Sequence, residues 1–417
     1  YVEAWQVTRD SSFKCVVDET LQYIHAQMTS KLGGFFSTED ADSEGEEGKF
    51  YIWLYSEIQD ILGKDDAEVF CAYYGVKPEG NFSSHETYHL HQNILHHRVS
   101  AKLFAASRDM TEDAFLSWLD VQKQKLMSVR SVRIRPGLDD KILSGWNGLM
   151  ITACAKAAQA CGNELYTKMA SQAAHFVLEY MVDGDGALLH TYRKGVSHIP
   201  AYLEDYAFFI NALVDLYELT LDASWLKEAL RFAEDMIIQF KDPNAPGFFF
   251  TGERHKDLIV RTKPIYDGAT PSGNSMATCA LLRLGAIAGK DDWLKMARDV
   301  LTASVSAVQQ SPRAYAQLLL AYDWERYGPV EIALIGDQIP QTLLHQTACA
   351  HYLPNRILVA ESDSDLNLPL LAERPTKDGK PTAYVCHQGT CHPPIVDNSK
   401  LTDLLQSMTS IKGENRE

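Results

Sequence analysis

Carboxylates, amides and aromatic rings gather at three places in this 417-residue sequence. RIRPGLDDKILSGWNG carries Arg133, Arg135, Asp139, Asp140, Lys141, Trp146 and Asn147. YLEDY carries Glu204, Asp205 and Tyr206, and YDGATPSGNS carries Asp267, Pro271, Ser272, Asn274 and Ser275. Each run opens a long apolar helical pattern. Unpaired N–H groups at a helix start donate hydrogen bonds, and the helix dipole adds partial positive charge there. Carboxylates beside them accept hydroxyl hydrogens and can serve as general acid and base. The chemistry suits a neutral polyhydroxylated or an anionic ligand. Asp140 and Asp205 are the expected acid and base, with Asp40 and Asp42 in reserve. Lys141, Asn147, Asn274 and Arg193 are expected to hold hydroxyl or carboxylate groups of the ligand, with Glu204, Tyr206, Asp267 and Ser272 alongside. Trp146 is expected to stack on a sugar ring, as Tyr202 and Tyr266 can. The competing role for each acid is plain N-capping, which Asp, Ser and Asn favour anyway.

The elements that position these residues repeat along the chain. Leu143 to Ala160 leads through Cys161-Gly162-Asn163 into a helix opened by Tyr166 that ends near Met181. Leu203 to Thr220 leads through Leu221-Asp222-Ala223 into a helix opened by Trp225. Ser275 to Ala288 leads through Gly289-Lys290-Asp291 into a helix opened by Trp293. TKMA, LKEA and LKMA after those aromatics are near copies. The N-terminal piece fits with Asp10 in the turn and Phe13 in the aromatic place, and Pro312 to Tyr327 adds another first-type helix. First-type helices are apolar nearly all round, whereas second-type ones carry a charged face. An inner ring of helices wrapped by an outer ring produces that contrast. The predicted fold is therefore a mainly α, six-hairpin α/α toroid, incomplete at its N-terminus. Long loops from Leu32, Asp183 and Ala245 all enter first-type helices, so they share one face of the ring. The acids at those helix starts are expected to look into one hollow.

The toroid is assigned to residues 1–328, with an insertion at about 49–124. From Pro329 the pattern changes to VEIALIG, a helix over 341–350, RILVA and TAYVC. That reads as a small α/β appendage over 329–417 with a parallel crossover.

Composition narrows the function. The formal net charge is −16, which disfavours nucleic acid and anionic membrane surfaces as partners. No apolar run approaches the length of a membrane helix. Six dispersed cysteines read as small buried hydrophobes in a reducing, cytoplasmic setting. Cys386-His-Gln-Gly-Thr-Cys391-His places four ligand types too tightly for one zinc tetrahedron. A strand-to-loop element is the first reading there, and a reversible disulfide the second. The run from His85 to His97 reads as a solvated loop. No metal or cofactor is called for. Tyr1 to Thr8 reads as the middle of a helix, so the sequence is expected to begin inside a larger protein.

LGGFFSTEDADSEGEEGKFYIW (32–53), DDKILSGWNGLMI (139–151), YLEDYAFFINALVDLYE (202–218), DGATPSGNSMA (267–277) and AYVCHQGTCHPPIVD (383–397) resemble the spermatogenesis-associated protein 20 family. The resemblance implies a six-hairpin toroid similar to sugar epimerases and glycoside hydrolases. It also implies an attached upstream thioredoxin-like domain as a partner. Neither that domain nor its cysteine motif has a counterpart in these residues, so the family's redox activity cannot be placed on them. A small-molecule or oligosaccharide ligand follows by analogy at fold level. Two functions are carried forward: a glycosidase- or epimerase-like enzyme using funnel carboxylates, and a non-catalytic glycan- or peptide-binding toroid serving that partner.

Overall fold

A computed structural model of the chain describes residues 1–82, 91–256, 258–361 and 366–414. They form two compact units: Tyr1–Ser37 with Asp140–Glu417, and Thr38–Asp139.

The first unit is built from α-hairpins. Its helices are α1 (Val2–Thr8), α2 (Ser11–Gln27), α3 (Ser144–Cys161), α4 (Glu164–Tyr180), α5 (Leu203–Thr220), α6 (Ala223–Phe240), α7 (Gly273–Ala288), α8 (Asp291–Gln310) and α9 (Ala316–Tyr327). Odd-numbered helices are the inner ones: α1 packs on α3, α3 on α5, α5 on α7 and α7 on α9. Each of α2, α4, α6 and α8 packs behind its inner partner. This is the α/α toroid that the repeat predicts. Burial shows why the two helix types differ. Of α5, nearly every residue from Leu203 to Glu218 is buried, while α6 buries one stripe: Trp225, Leu226, Ala229, Phe232, Ala233, Met236 and Phe240. A helix walled on both sides must be apolar round its circumference, whereas an outer helix keeps one face in water.

Close approach between inner helices depends on glycine. A Cβ at Gly148 would stand 2.7 Å from the backbone carbon of Phe208, so α3 and α5 touch main chain to main chain there. Hairpin turns also repeat: Gly162, Leu221 and Gly289 all take the left-handed conformation after an inner helix. Leu221 does so at φ 58° although it is branched, and its buried side chain joins the apolar core of the appendage. Packing there offsets a strain of about 1–2 kcal/mol.

The long loops share a bridge at their base, between Thr29 and Phe35, Val182 and Leu188, and Lys241 and Phe248. In the second, the β1 (Ile142–Leu143), β2 (Leu189–Arg193) and β3 (Val196–Pro200) strands form an antiparallel sheet.

The appendage holds β4 (Val330–Ile335), α10 (Leu343–Ala350), β5 (Arg356–Ala360), β6 (Thr382–His387), β7 (Thr390–Cys391) and α11 (Asn398–Glu414). Its sheet order is β5-β4-β6-β7, with β4 and β5 parallel and the rest antiparallel. Alternate residues face opposite ways. Ala333, Ile357 and Val359 join the core of the ring, while Ile332, Leu334 and Leu358 pack with Leu344, Leu401 and Leu405.

The Thr38–Asp139 unit has its own core around Trp53, Phe70, Tyr73, Phe115 and Leu119. A short ladder between Thr38–Glu39 and Leu138–Asp139 ties its ends together. Arg133 lies over the Trp53 ring at 4.0 Å and pairs with Glu57 at 2.6 Å.

Cysteines depart from the uniform reading. Cys71, Cys154 and Cys349 are buried, but Cys15 is exposed, and Cys161 and Cys279 are half-buried. Cys386 and Cys391 are joined by a disulfide across β6 and β7. The second of the two readings is therefore the one the strand pairing builds, because register sets the two residues opposite each other. His85 and His89 lie outside the described residues. His91 and His96 contact the Pro78 and Ile94 carbonyls, and His97 stacks on Tyr73. No group of three or more His, Cys, Asp or Glu among the described residues is placed to hold a metal. None of the described helices is long and apolar enough to cross a membrane.

Candidate active site

Helical periodicity turns one stripe of each inner helix toward the centre of the ring. On α3 that stripe runs through Leu149, Thr152, Lys156 and Gln159, and on α5 through Asn211, Asp215 and Glu218. Met276, Cys279 and Arg283 continue it on α7, as do Gln317, Leu320 and Trp324 on α9 and Glu3 and Gln6 on α1. They line a cavity of about 290 Å³. The appendage reaches it through His351 to Arg356, the connection from α10 to β5. Because α3 and α5 start at the long-loop face, their C-terminal residues Gln159 and Glu218 lie at the opposite end, where the appendage meets the ring.

That end is a charged floor. Arg283 Nη2 donates to Asp215 at 2.7 Å and lies 3.7 Å from Glu218. Arg356 Nη2 donates to Glu218 at 2.9 Å and to Gln159 at 3.0 Å. Glu218 is 4% exposed by its side chain and Arg356 9%. Burial by itself would lower both guanidinium pKa values. The charges of Asp215 and Glu218 outweigh it at Arg283 and that of Glu218 at Arg356, so both are raised. Lys156 pairs with Glu3 at 3.3 Å in a more exposed position.

At the other end, the start of α5 holds a second constellation. Asp205 is 1% exposed, and both its oxygens are engaged. Oδ1 accepts from the Gly145 N–H at 2.9 Å, and Oδ2 accepts from the Tyr202 N–H at 2.8 Å. A Cβ at Gly145 would stand 2.7 Å from Oδ1, so only glycine admits this contact. Oδ2 also lies 2.8 Å from Nδ1 of His190 on β2. Burial disfavours the charged imidazole, but the hydrogen bond and the charge of Asp205 prevail and hold its pKa above the usual value. Glu204, half-buried next door, is raised by burial and then by the charge of Asp205. It lies two turns before Asn211 on the same stripe of α5. Tyr202 packs edge-on to His190 and stacks on Phe250 and His255. An imidazole oriented by a buried carboxylate, beside a carboxyl of raised pKa, is an arrangement for proton transfer.

The residues singled out in the sequence fall into several groups. Asp140 takes the Arg193 guanidinium, both partly exposed. Trp146 is 43% exposed in the first turn of α3, one turn before Leu149 on the inward stripe. Lys141 is exposed, and its carbonyl accepts from the Ser37 N–H. Asn147 and Asn274, each 1% exposed, act on loops: Asn147 bonds the N–H and carbonyl of Phe35, and Asn274 those of Phe248. Tyr206 donates to Asp235 and accepts from the Leu188 N–H, holding the intervening loop. Asp267 accepts from the N–H groups of Ser272, Gln317 and Leu318. Ser272 caps α7. Asp40 and Asp42 are exposed within the Thr38–Asp139 unit, where Asp40 accepts from the Asp42 N–H. Among the described residues, none of Asp140, Asp205 and Asp267 lines the cavity. Sequence reading passed over His190, Asp215, Glu218, Arg283 and Arg356. For Asp215, Glu218 and Arg283 the available signal was a charge inside an otherwise apolar inner helix.

A mainly α ring of helical hairpins around a central hollow defines the class as an α/α toroid. The chain belongs to the spermatogenesis-associated protein 20 family. It is 32% identical to the Mus musculus protein and 31% identical to the Homo sapiens protein, in each case over 97% of its own length. It spans 56% of the length of those relatives. No protein-family model matches. Among solved structures it is similar to a GH76 alpha-mannanase of Bacteroides thetaiotaomicron, with 12% identity, a TM-score of 0.39 and 84% and 85% of the two chains covered. It is also similar to cellobiose 2-epimerase of Bacillus thermoamylovorans, with 11% identity, a TM-score of 0.32 and 76% and 72% covered.

Proposed function

We propose that the ring is the body of a carbohydrate-active enzyme that works on a saccharide or related polyol by general acid/base catalysis. His190 is the proton acceptor, and Asp205 orients it and stabilises its charged form. Glu204 is the proton donor, kept protonated to higher pH by burial and by its charged neighbour. Asp140 and Arg193 form a paired rim beside them, and Trp146 offers an apolar face for a sugar ring. The observation that carries this reading is the 2.8 Å contact between His190 and a buried, fully engaged Asp205. Asp205 touches a ligand only through His190, so it is a positioning residue.

The test is a turnover screen of neutral mono- and oligosaccharides for hydrolysis and epimerisation, followed by His190→Asn and Asp205→Asn on any substrate found. Loss of kcat by about 10²-fold or more in His190→Asn fits a general base. Unchanged kcat in that variant rejects the assignment. A second reading, a glycan- or peptide-binding ring without turnover that serves a thioredoxin-like partner, is favoured by the floor, where Arg283 and Arg356 are already tied to Asp215 and Glu218. Sugar binding with no turnover would select it.

A further inference from the structure

Two residues that line the cavity each keep a buried polar atom without a hydrogen-bond partner: the Thr152 hydroxyl on α3 and Nε of Arg356 on β5. Both can donate. A helix-interior threonine ordinarily turns its hydroxyl to a carbonyl one turn back, as Thr278 does to Asn274 and Thr220 to Leu216 at 2.8 Å. Thr152 does not. Arg356 spends its Nη atoms on Glu218, Gln159 and the Ala348 carbonyl, and keeps Nε unspent. Buried donors without acceptors are uncommon in folded proteins, and among the described residues these two are the ones that fall on residues lining the cavity.

The charges on the same walls define that group. The three cations are each paired: Lys156 with Glu3, Arg283 with Asp215, and Arg356 with Glu218. An incoming phosphate or carboxylate would have to displace a carboxylate already in place, or add negative charge beside Asp215 and Glu218. Hydroxyl groups face neither cost. They accept from Thr152 and Arg356 and donate to Gln159, Asn211 or Gln317. The floor carrying Arg356 belongs to the appendage, which borders the hollow at that end.

We infer that the cavity is a blind pocket for a neutral, hydroxyl-rich molecule of one or two sugar rings, with its inner end recognised by Thr152 and by Arg356 of the appendage. This rests on the saccharide reading above for the class of ligand alone, because Glu218 lies about 21 Å along α5 from Glu204, and it adds two things: the charge of the ligand and the part of the molecule that limits its length. Arg356 and Thr152 are thereby specificity-determining residues, distant from the proton-transfer pair.

The experiment is isothermal titration calorimetry of the intact chain with D-glucose, D-mannose, cellobiose, D-glucuronate, glucose 6-phosphate and cellotetraose. At least one of the three small neutral sugars should bind at least tenfold more tightly than both anions and than cellotetraose. Thr152→Val removes the hydroxyl at constant shape and should weaken that sugar about tenfold, while Thr152→Ser retains affinity. Tighter binding of an anion, equal binding of the tetrasaccharide, unchanged affinity in Thr152→Val, or no binding of any neutral sugar overturns the inference. Failure here is separable from failure of the catalytic reading. Turnover that depends on His190 but ignores Thr152 sinks only the pocket, and Thr152-dependent binding without turnover sinks only the catalysis.

Discussion

Removing the carboxylate of Glu218 gives the sharpest physical test of how ring and appendage are joined. Its side chain is 4% exposed, accepts from Arg356 at 2.9 Å and lies 3.7 Å from Arg283. Arg356 is 9% exposed. In Glu218→Ala, Arg283 keeps Asp215 at 2.7 Å, but Arg356 retains only neutral acceptors on Gln159 and the Ala348 carbonyl. Breaking a buried pair on one side costs about 3–5 kcal/mol, because the remaining charge stays desolvated. Arg356→Met in the same background removes that stranded charge. The double variant should then regain about 2 kcal/mol or more relative to the sum of the single effects, since directly contacting residues couple on that scale. Urea unfolding followed by tryptophan fluorescence reads both numbers. A Glu218→Ala variant within about 0.5 kcal/mol of the parent, or strictly additive single effects, would refute the account of the floor.

Other expectations are independent of it. His190 is raised above 6.5 by Asp205, so the stability it contributes is complete below the unfolded value and fades as pH rises through the folded value. Unfolding curves of parent and His190→Gln should therefore converge above pH 6.5, and divergence there would be contrary evidence. As a general base His190 must be neutral, so kcat/KM should climb over the same interval and lose that limb in the variant. Gly148→Ala forces a methyl against the Phe208 backbone and should cost about 1–3 kcal/mol in unfolding free energy. Asn147→Ala strands the Phe35 N–H and carbonyl and should lose about 1–3 kcal/mol, with little change in ligand affinity if its role is to clamp the loop. Reduction of Cys386–Cys391 should lower stability by about 2 kcal/mol, the loop-closure value for so short a ring, measurable by melting with and without a thiol reductant.

Much of the framework was legible because it is local. Period-3.6 stripes, the aromatic openers Tyr166, Trp225 and Trp293, and the contrast between α5 and α6 all follow from burial acting on consecutive residues. The strands of the appendage and their parallel crossover were legible for the same reason. Helix starts bearing Asp205, Asn147 and Asn274 also stood out, but their types alone do not distinguish a ligand contact from a cap or clamp. Asn147 reaches Phe35 across 112 positions, and this partner decides its role.

The sequence by itself determined which segments of the ring are helices, which of their faces are apolar and that hairpins repeat around a ring, since each depends on neighbours within one or two turns. Tertiary structure alone decided what the polar groups do. Glu218 meets Arg356 across 138 positions, and His190 meets Asp205 only when β2 folds over the start of α5. Electrostatics and desolvation act through space and carry no periodic trace along the chain, so a histidine in a loop looks ordinary until the carboxylate that orients it arrives.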